Sequence, residues 1–194
     1  MKKKIIAITG GIGSGKSLAL NILRQAGYKA VSCDEITAEL YKKISVKEEI
    51  GKIFPSAVSG GSRLHIDKKE IARQAFSCEE KRERLNALLH PLIMSAAIRR
   101  AKRTEKNLSF VEVPLLFETK SESLFDGVIV ILRDKVKRIE SVKNRSDLTE
   151  EEILKRIDAQ YNYESESFSG CIVIYNDKDK ENFRNSVLKA IENL

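Results

Sequence analysis

Tryptophan is absent from the chain, and aromatic residues of all kinds make up 6% of its 194 positions. Base-stacking platforms for single-stranded nucleic acid need aromatics interleaved with basic residues, and no such interleaving occurs. No apolar run approaches the length of a membrane span. The three cysteines, Cys33, Cys78 and Cys171, are scattered. Their spacing fits neither a metal knuckle nor a disulfide framework, and they read as small buried thiols. With three prolines and ten glycines, no Pro/Gly linker separates two domains, and there is no internal repeat or low-complexity tract. Met1-Lys2-Lys3-Lys4 before Ile5-Ile6-Ala7-Ile8 has the charge order of a signal peptide. Its apolar run is too short, however, and glycines stand where a cleavage site would, so a cytoplasmic protein is expected.

What remains is a basic chain with the composition of one well-buried core. Hydrophobic residues are 42%, charged residues 32%, and the net charge is +7. That balance suits polyanionic partners, and charge alone does not choose among nucleotides, nucleic acid and an acidic surface.

Apolar runs alternate with helical patterns. Strands are expected at Lys4–Thr9, Lys29–Cys33, Leu108–Val113, Gly127–Leu132 and Cys171–Tyr175. Helices are expected at Ser17–Ala26, Asp34–Lys43 and Val46–Phe54, with a loop at Pro55 and Gly60-Gly61. A helical block follows, with capping-box spacings at Asp67/Glu70 and Ser77/Glu80 and a new helix opened by Pro91 and running to Lys106. A lone polar helix starts at Thr149, and a last helix covers Lys180–Asn193. Strands apolar on both faces and separated by helices imply a parallel sheet covered on both sides, an α/β fold. The block between the second and third strands is too long for one crossover and reads as a substrate-binding insertion.

Four glycines fall within Gly10–Gly15, followed by Lys16 and Ser17. Gly10-x-x-x-x-Gly15-Lys16-Ser17, after a strand and opening a helix, is a phosphate-binding P-loop. Its glycines let backbone N–H groups converge on phosphate oxygens, and the helix N-terminus adds partial positive charge. Gly11, Ile12, Gly13, Ser14, Gly15, Lys16, Ser17 and Leu18 are the expected contacts of a nucleoside triphosphate. Lys16 reaches the β- and γ-phosphates, and the Ser17 hydroxyl is a Mg²⁺ ligand. Asp34 ends the second strand, where ligands of parallel sheets sit; it is a candidate site acid, an N-cap, or both. Glu112 lies in an apolar strand, either beside a Mg²⁺ ion or paired structurally.

Further motifs are "LNALLHPLI" with His90-Pro91, "VEVPLLFE", and "RSDLTEEEILKRIDAQ" with Arg145, Arg156 and Gln160. Together with the GGIGSGKS loop, they resemble the dephospho-CoA kinase family from Lys4 to about Asn176. The resemblance implies a P-loop kinase: a five-stranded parallel sheet flanked by helices, with a helical substrate-binding insertion at 35–106 and a small helical lid at 135–170. The core is 1–34, 107–134 and 171–194. It implies phosphorylation of the ribose 3′-hydroxyl of dephospho-CoA by ATP with Mg²⁺, in a monomer or weak homo-oligomer, with no nucleic-acid or membrane partner. By this resemblance Asp34 orients the hydroxyl and accepts its proton, and Arg145 closes over the transferred phosphoryl group. His90, Pro114 and Leu115 contact dephospho-CoA. Read alone, His90 is a structural hydrogen-bonding residue and Arg145 belongs to a solvated helix face.

Four departures stand out. Leu18 replaces a common Thr, Ser32 a common Asp, and Ser141 a common Arg, with Arg138 one turn earlier as its candidate substitute. The stretch after Gln160, which includes Glu166, lacks its usual basic residue. Two other readings use the same loop: another small-molecule or nucleotide kinase, and a non-enzymatic NTP-dependent nucleic-acid-binding protein.

Overall fold

A computed structural model describes residues 3–61, 63–164, 166–192 and 194. The chain divides into two compact units, one of residues 1–32 and 98–194, the other of residues 33–97.

The first unit is built on five parallel strands: β1 (Lys4–Thr9), β2 (Lys29–Ser32), β5 (Leu108–Glu112), β6 (Gly127–Leu132) and β7 (Ile172–Tyr175), in the order β2-β5-β1-β6-β7. In β1, all residues but Lys4 are buried, because a central parallel strand is covered on both faces. Side chains alternate between the faces. Ile6, Ile8, Phe110, Ile129 and Ile131 face α1 (Lys16–Gln25) and α8 (Lys180–Glu192), which contribute Leu20, Leu23, Phe183 and Val187 to one core. Ile5, Ala7, Val111, Val128 and Val130 are buried on the opposite face. The register sets Glu112 of β5 opposite both Ile8 of β1 and Ser32 of β2, at the carboxyl ends of the strands.

In the second unit, α2 (Cys33–Leu40) and α3 (Ile44–Ile53) are followed by a two-stranded antiparallel hairpin, β3 (Val58–Ser59) with β4 (His65–Ile66). This small hairpin falls where only a loop was expected. Two alternating residues per strand are too few for a period-2 signal. Next come α4 (Lys68–Ser77) and α5 (Glu79–Lys102), whose residues from Ile98 onward are counted with the first unit. Asp67 caps α4 by accepting from the N–H groups of Lys69 and Glu70, at 2.9 and 3.1 Å.

The Ser77/Glu80 capping box does not form. Ser77 is the last residue of α4, and its hydroxyl donates to the Gln74 carbonyl at 3.1 Å. Pro91 does not open a helix either, because it lies inside the 24-residue α5. A proline there removes one backbone hydrogen bond, to the carbonyl four residues earlier. Ala87 and Pro91 are both exposed, so that carbonyl faces water and the helix continues. It ends at Lys102, four residues short of the expected Lys106.

Between β6 and β7 there are two helices, α6 (Lys135–Lys143) and α7 (Glu150–Asp158), where one was expected. Asp134 caps α6 by accepting from Val136 and Lys137. Thr149 and Glu152 form the expected reciprocal capping box at α7. The expected end of the last helix, Asn193, lies outside the described residues. Among the described residues, no helix is long and apolar enough to cross a membrane.

Candidate active site

β1 hands the chain to the glycine-rich loop at the carboxyl edge of the sheet, and α1 begins at Lys16. Gly15 has φ 108°, a conformation that side chains rarely adopt. A Cβ there would also collide with the Asn176 amide, which donates from Nδ2 to the Ser14 carbonyl at 2.8 Å. Two further loop carbonyls are held by side chains: Ile12 accepts from Arg138 Nε at 3.0 Å, and Gly13 from Arg133 Nη1 at 3.3 Å. The Lys16 ammonium arches back over its own loop and donates to the Gly10 and Gly11 carbonyls at 2.7 and 3.0 Å. The buried Ser14 hydroxyl has no hydrogen-bond partner among the described residues.

In the first turn of α1, Ser17 Oγ donates to Glu112 Oε1 at 3.2 Å. Glu112 is 3% exposed, so its carboxylate is a buried group aimed at the phosphate loop. A hydroxyl and a carboxylate oxygen side by side suit a hard divalent cation. No three His, Cys, Asp or Glu residues gather into a metal site among the described residues. A cation at this pair would therefore complete its shell with phosphate oxygens and water, as Mg²⁺ does in phosphoryl-transfer sites.

The segment after β6 packs over the loop. Gln160 Oε1 accepts from the Ile12 N–H at 2.7 Å. Ile12 joins a small core with the buried Val142, Ile153 and Ile157. The region expected as a lid thus has a small core of its own, closed by a P-loop residue. Tyr163 is buried with its hydroxyl 3.0 Å from Thr9 Oγ1, and burial pushes that hydroxyl up to about 12. Phe117, Tyr161 and Phe168 complete a ring cluster around it. Arg138 is 4% exposed, with Nη1 at 3.5 Å from Glu164 Oε1. A cavity of about 340 Å³ opens beside Gly11, lined by Arg133, Arg138, Tyr163, Tyr175 and Asp177.

A family model described as dephospho-CoA kinase matches residues 4–182. The chain belongs to the dephospho-CoA kinase family. Its activity is that of a phosphotransferase acting on dephospho-CoA, with ATP as donor. It is 35% identical over 187 residues to a dephospho-CoA kinase of Thermus thermophilus, covering 96% of this chain and 89% of that one. It is 30% identical over 195 residues to the dephospho-CoA kinase of Fusobacterium nucleatum, covering both chains fully. Among solved structures, TT1252 from Thermus thermophilus superposes with a TM-score of 0.88 at 33% identity, over 100% of this chain and 98% of that one. The Campylobacter jejuni dephospho-CoA kinase superposes at 0.69 with 25% identity, over 98% and 96%. A shikimate kinase from Bacteroides thetaiotaomicron, at 0.53 and 13%, shares the fold.

Of the candidate residues, the loop Gly11–Leu18, Lys16, Ser17 and Glu112 are brought together. Leu18, in place of threonine, packs against the core on α1. Pro114 and Leu115 open the turn that follows β5, with Leu115 exposed. Arg145 sits in the turn after α6, its side chain exposed and its N–H bonded to the Val142 carbonyl at 3.1 Å. Asp34 and His90 belong to the other compact unit. Asp34 is the second residue of α2 and exposed, so it is a first-turn carboxylate rather than the N-cap, favourable at the positive end of that helix. His90 is half-buried in α5.

Sequence reasoning missed Arg133 and Asn176 as supports of the loop and gave Tyr163 no role. Asn176 carried a usable signal. It directly follows β7, the same strand-end position that singled out Asp34.

Proposed function

We propose that this enzyme transfers the γ-phosphoryl group of ATP to the ribose 3′-hydroxyl of dephospho-CoA, with the roles divided as follows. The loop Gly11–Leu18 cradles the phosphates through backbone N–H groups such as that of Gly13, and Lys16 turns from its loop carbonyls onto the β- and γ-phosphate oxygens. Ser17 and Glu112 hold Mg²⁺. When bound, Mg²⁺ neutralises charge on the phosphate oxygens. Asp34 orients the 3′-hydroxyl and takes its proton. A bond forms between the 3′-oxygen and phosphorus, the bridging bond to ADP breaks, and ADP leaves with the electron pair. Arg145 donates to the transferring group, and His90, Pro114 and Leu115 contact dephospho-CoA. Catalysis of this kind rests on positioning and charge rather than on covalent chemistry by the protein. We place the enzyme in the cytoplasm, as a monomer or weak homo-oligomer.

The observation that carries this reading is the bond from Ser17 to the buried Glu112 at the mouth of a P-loop. Product analysis after mixing the protein with Mg-ATP and dephospho-CoA is the test, with one coenzyme A expected per ADP. ATP consumption without coenzyme A, or transfer only to another acceptor, refutes it. Asp34→Asn is expected to keep ATP binding and lose turnover. A loss of ATP affinity with unchanged turnover per bound ATP removes Asp34 as the base.

A further inference from the structure

Arg138 is the one buried arginine among the described residues. Burying a guanidinium is costly, and here desolvation pulls its pKa below the ordinary arginine value while Glu164 acts the other way. Its place depends on two glycines. A Cβ on Gly11 would collide with the guanidinium, and one on Gly13 would run into the Arg138 main-chain carbonyl. From α6, Nε donates to the Ile12 carbonyl.

What this bond does follows from the planarity of the peptide group. The Ile12 carbonyl and the Gly13 N–H belong to one trans peptide, so they point in opposite directions. Anchoring the carbonyl on Arg138 aims the Gly13 N–H away from α6. The preceding peptide is anchored in turn: its N–H, on Ile12, is taken by Gln160, and its carbonyl, on Gly11, by Lys16 and by the Ser14 N–H. Glycines at 11 and 13 would otherwise leave these peptide planes free to rotate.

We propose that Arg138 is a positioning residue for the phosphate site. By holding the Ile12 carbonyl it presets the Gly13 N–H as a phosphate donor, and it acts through this hydrogen bond rather than through its charge. The inference rests on the reading that the P-loop binds the phosphates of ATP.

Side-chain geometry supplies the test. Glutamine places Nε2 the same number of bonds from the backbone as arginine Nε, without charge. Methionine fills the same length with no donor, and lysine keeps the charge but moves the donor one bond outward. Mg-ADP binding is measured by calorimetry in the full-length protein, and the Gly13 amide is followed by NMR. Arg138→Met is expected to bind ADP about tenfold more weakly, the worth of one hydrogen bond. Its Gly13 amide proton should no longer shift downfield on binding. Arg138→Gln should rescue affinity to within about threefold and restore the shift.

Equal loss in the Gln and Met variants, or no loss in either, overturns the proposal. If the Met variant fails to fold by thermal melting, the Gln and Lys pair decides. Stronger binding by Gln supports the positioning role, and stronger binding by Lys overturns it. ADP titration needs no acceptor, so an enzyme that binds ADP but makes no coenzyme A refutes the proposed reaction and leaves this ranking readable. A wild-type protein that does not bind ADP overturns the P-loop reading and this one with it.

Discussion

Alkaline pH should destabilise this enzyme through one identifiable hydroxyl. Tyr163 is 6% exposed, sits beside Thr9, and holds its proton up to about 12 because burial penalises the phenolate. In the unfolded chain the same group titrates near 10. Between these values the native state binds more protons than the unfolded state, so stability falls as pH rises. The contribution is complete below about pH 10 and lost as pH climbs through about 12. Two pKa units correspond to about 2.7 kcal/mol, and about 1.4 kcal/mol of that is gone by about pH 11. Tyr163→Phe removes the titration and leaves Thr9 Oγ1 without this partner, costing about 1 kcal/mol at neutral pH. Urea unfolding of both proteins from neutral pH to about pH 11 reads the difference, since the lysines titrate in both and cancel. Wild type should start the more stable and lose its advantage by about pH 11. A difference that stays constant over that range would show that Tyr163 titrates normally, and the buried Thr9–Tyr163 contact would be wrong.

Lys16→Ala should fold normally and lose phosphoryl transfer by about 10²–10³-fold, and near-normal turnover would contradict the role given to this charge. Asn176→Asp keeps the shape but sets an acceptor against the Ser14 carbonyl, so ADP titration should show a larger loss than for Asn176→Ala; equal losses would mean that the bond does not shape the loop. Glu112→Gln should raise the Mg²⁺ concentration needed for half-maximal rate, and an unmoved Mg²⁺ titration would take Glu112 out of the cation site. Ile153→Ala empties a fully buried position and should cost about 2–5 kcal/mol within its small core. Hydrogen exchange should then quicken across 135–164 and at Ile12 while β1 keeps its protection, and unchanged exchange at Ile12 would separate the loop from that core.

Much of this architecture was legible because buried parallel strands read as unbroken apolar runs. Lys4–Thr9 and Gly127–Leu132 have the expected bounds for that reason. The P-loop was legible because its glycines and Lys16-Ser17 sit at fixed spacing between a strand and a helix. The supports of that loop were not. Arg138 belongs to a charge-rich stretch in which an arginine looks solvated, and α6 itself was hidden by the same charges. Its burial depends on Gly11 and Gly13 lacking side chains, which no local window around 138 contains. Pro91 misled because a local rule for helix starts competes with a long helix whose broken hydrogen bond faces water. The roles of Asp34 and Arg145 came through family resemblance, since an exposed carboxylate in a helix's first turn and an exposed arginine in a turn are ordinary by themselves.

The strand order also bears on how the chain reaches its native state. β1 leaves the ribosome before every other strand, yet it takes the middle of the sheet, and both its neighbours come from residue 108 onward. At about 5–20 residues per second, its partners follow it by about 5–20 s. During that interval Ile5-Ile6-Ala7-Ile8, a β-prone apolar run, has neither of its native neighbour strands to pair with. The lysines at 3 and 4 flank it with the like charges that discourage pairing between nascent chains. Substituting both by uncharged residues should leave the folded enzyme's stability nearly unchanged and lower the yield of soluble protein during synthesis.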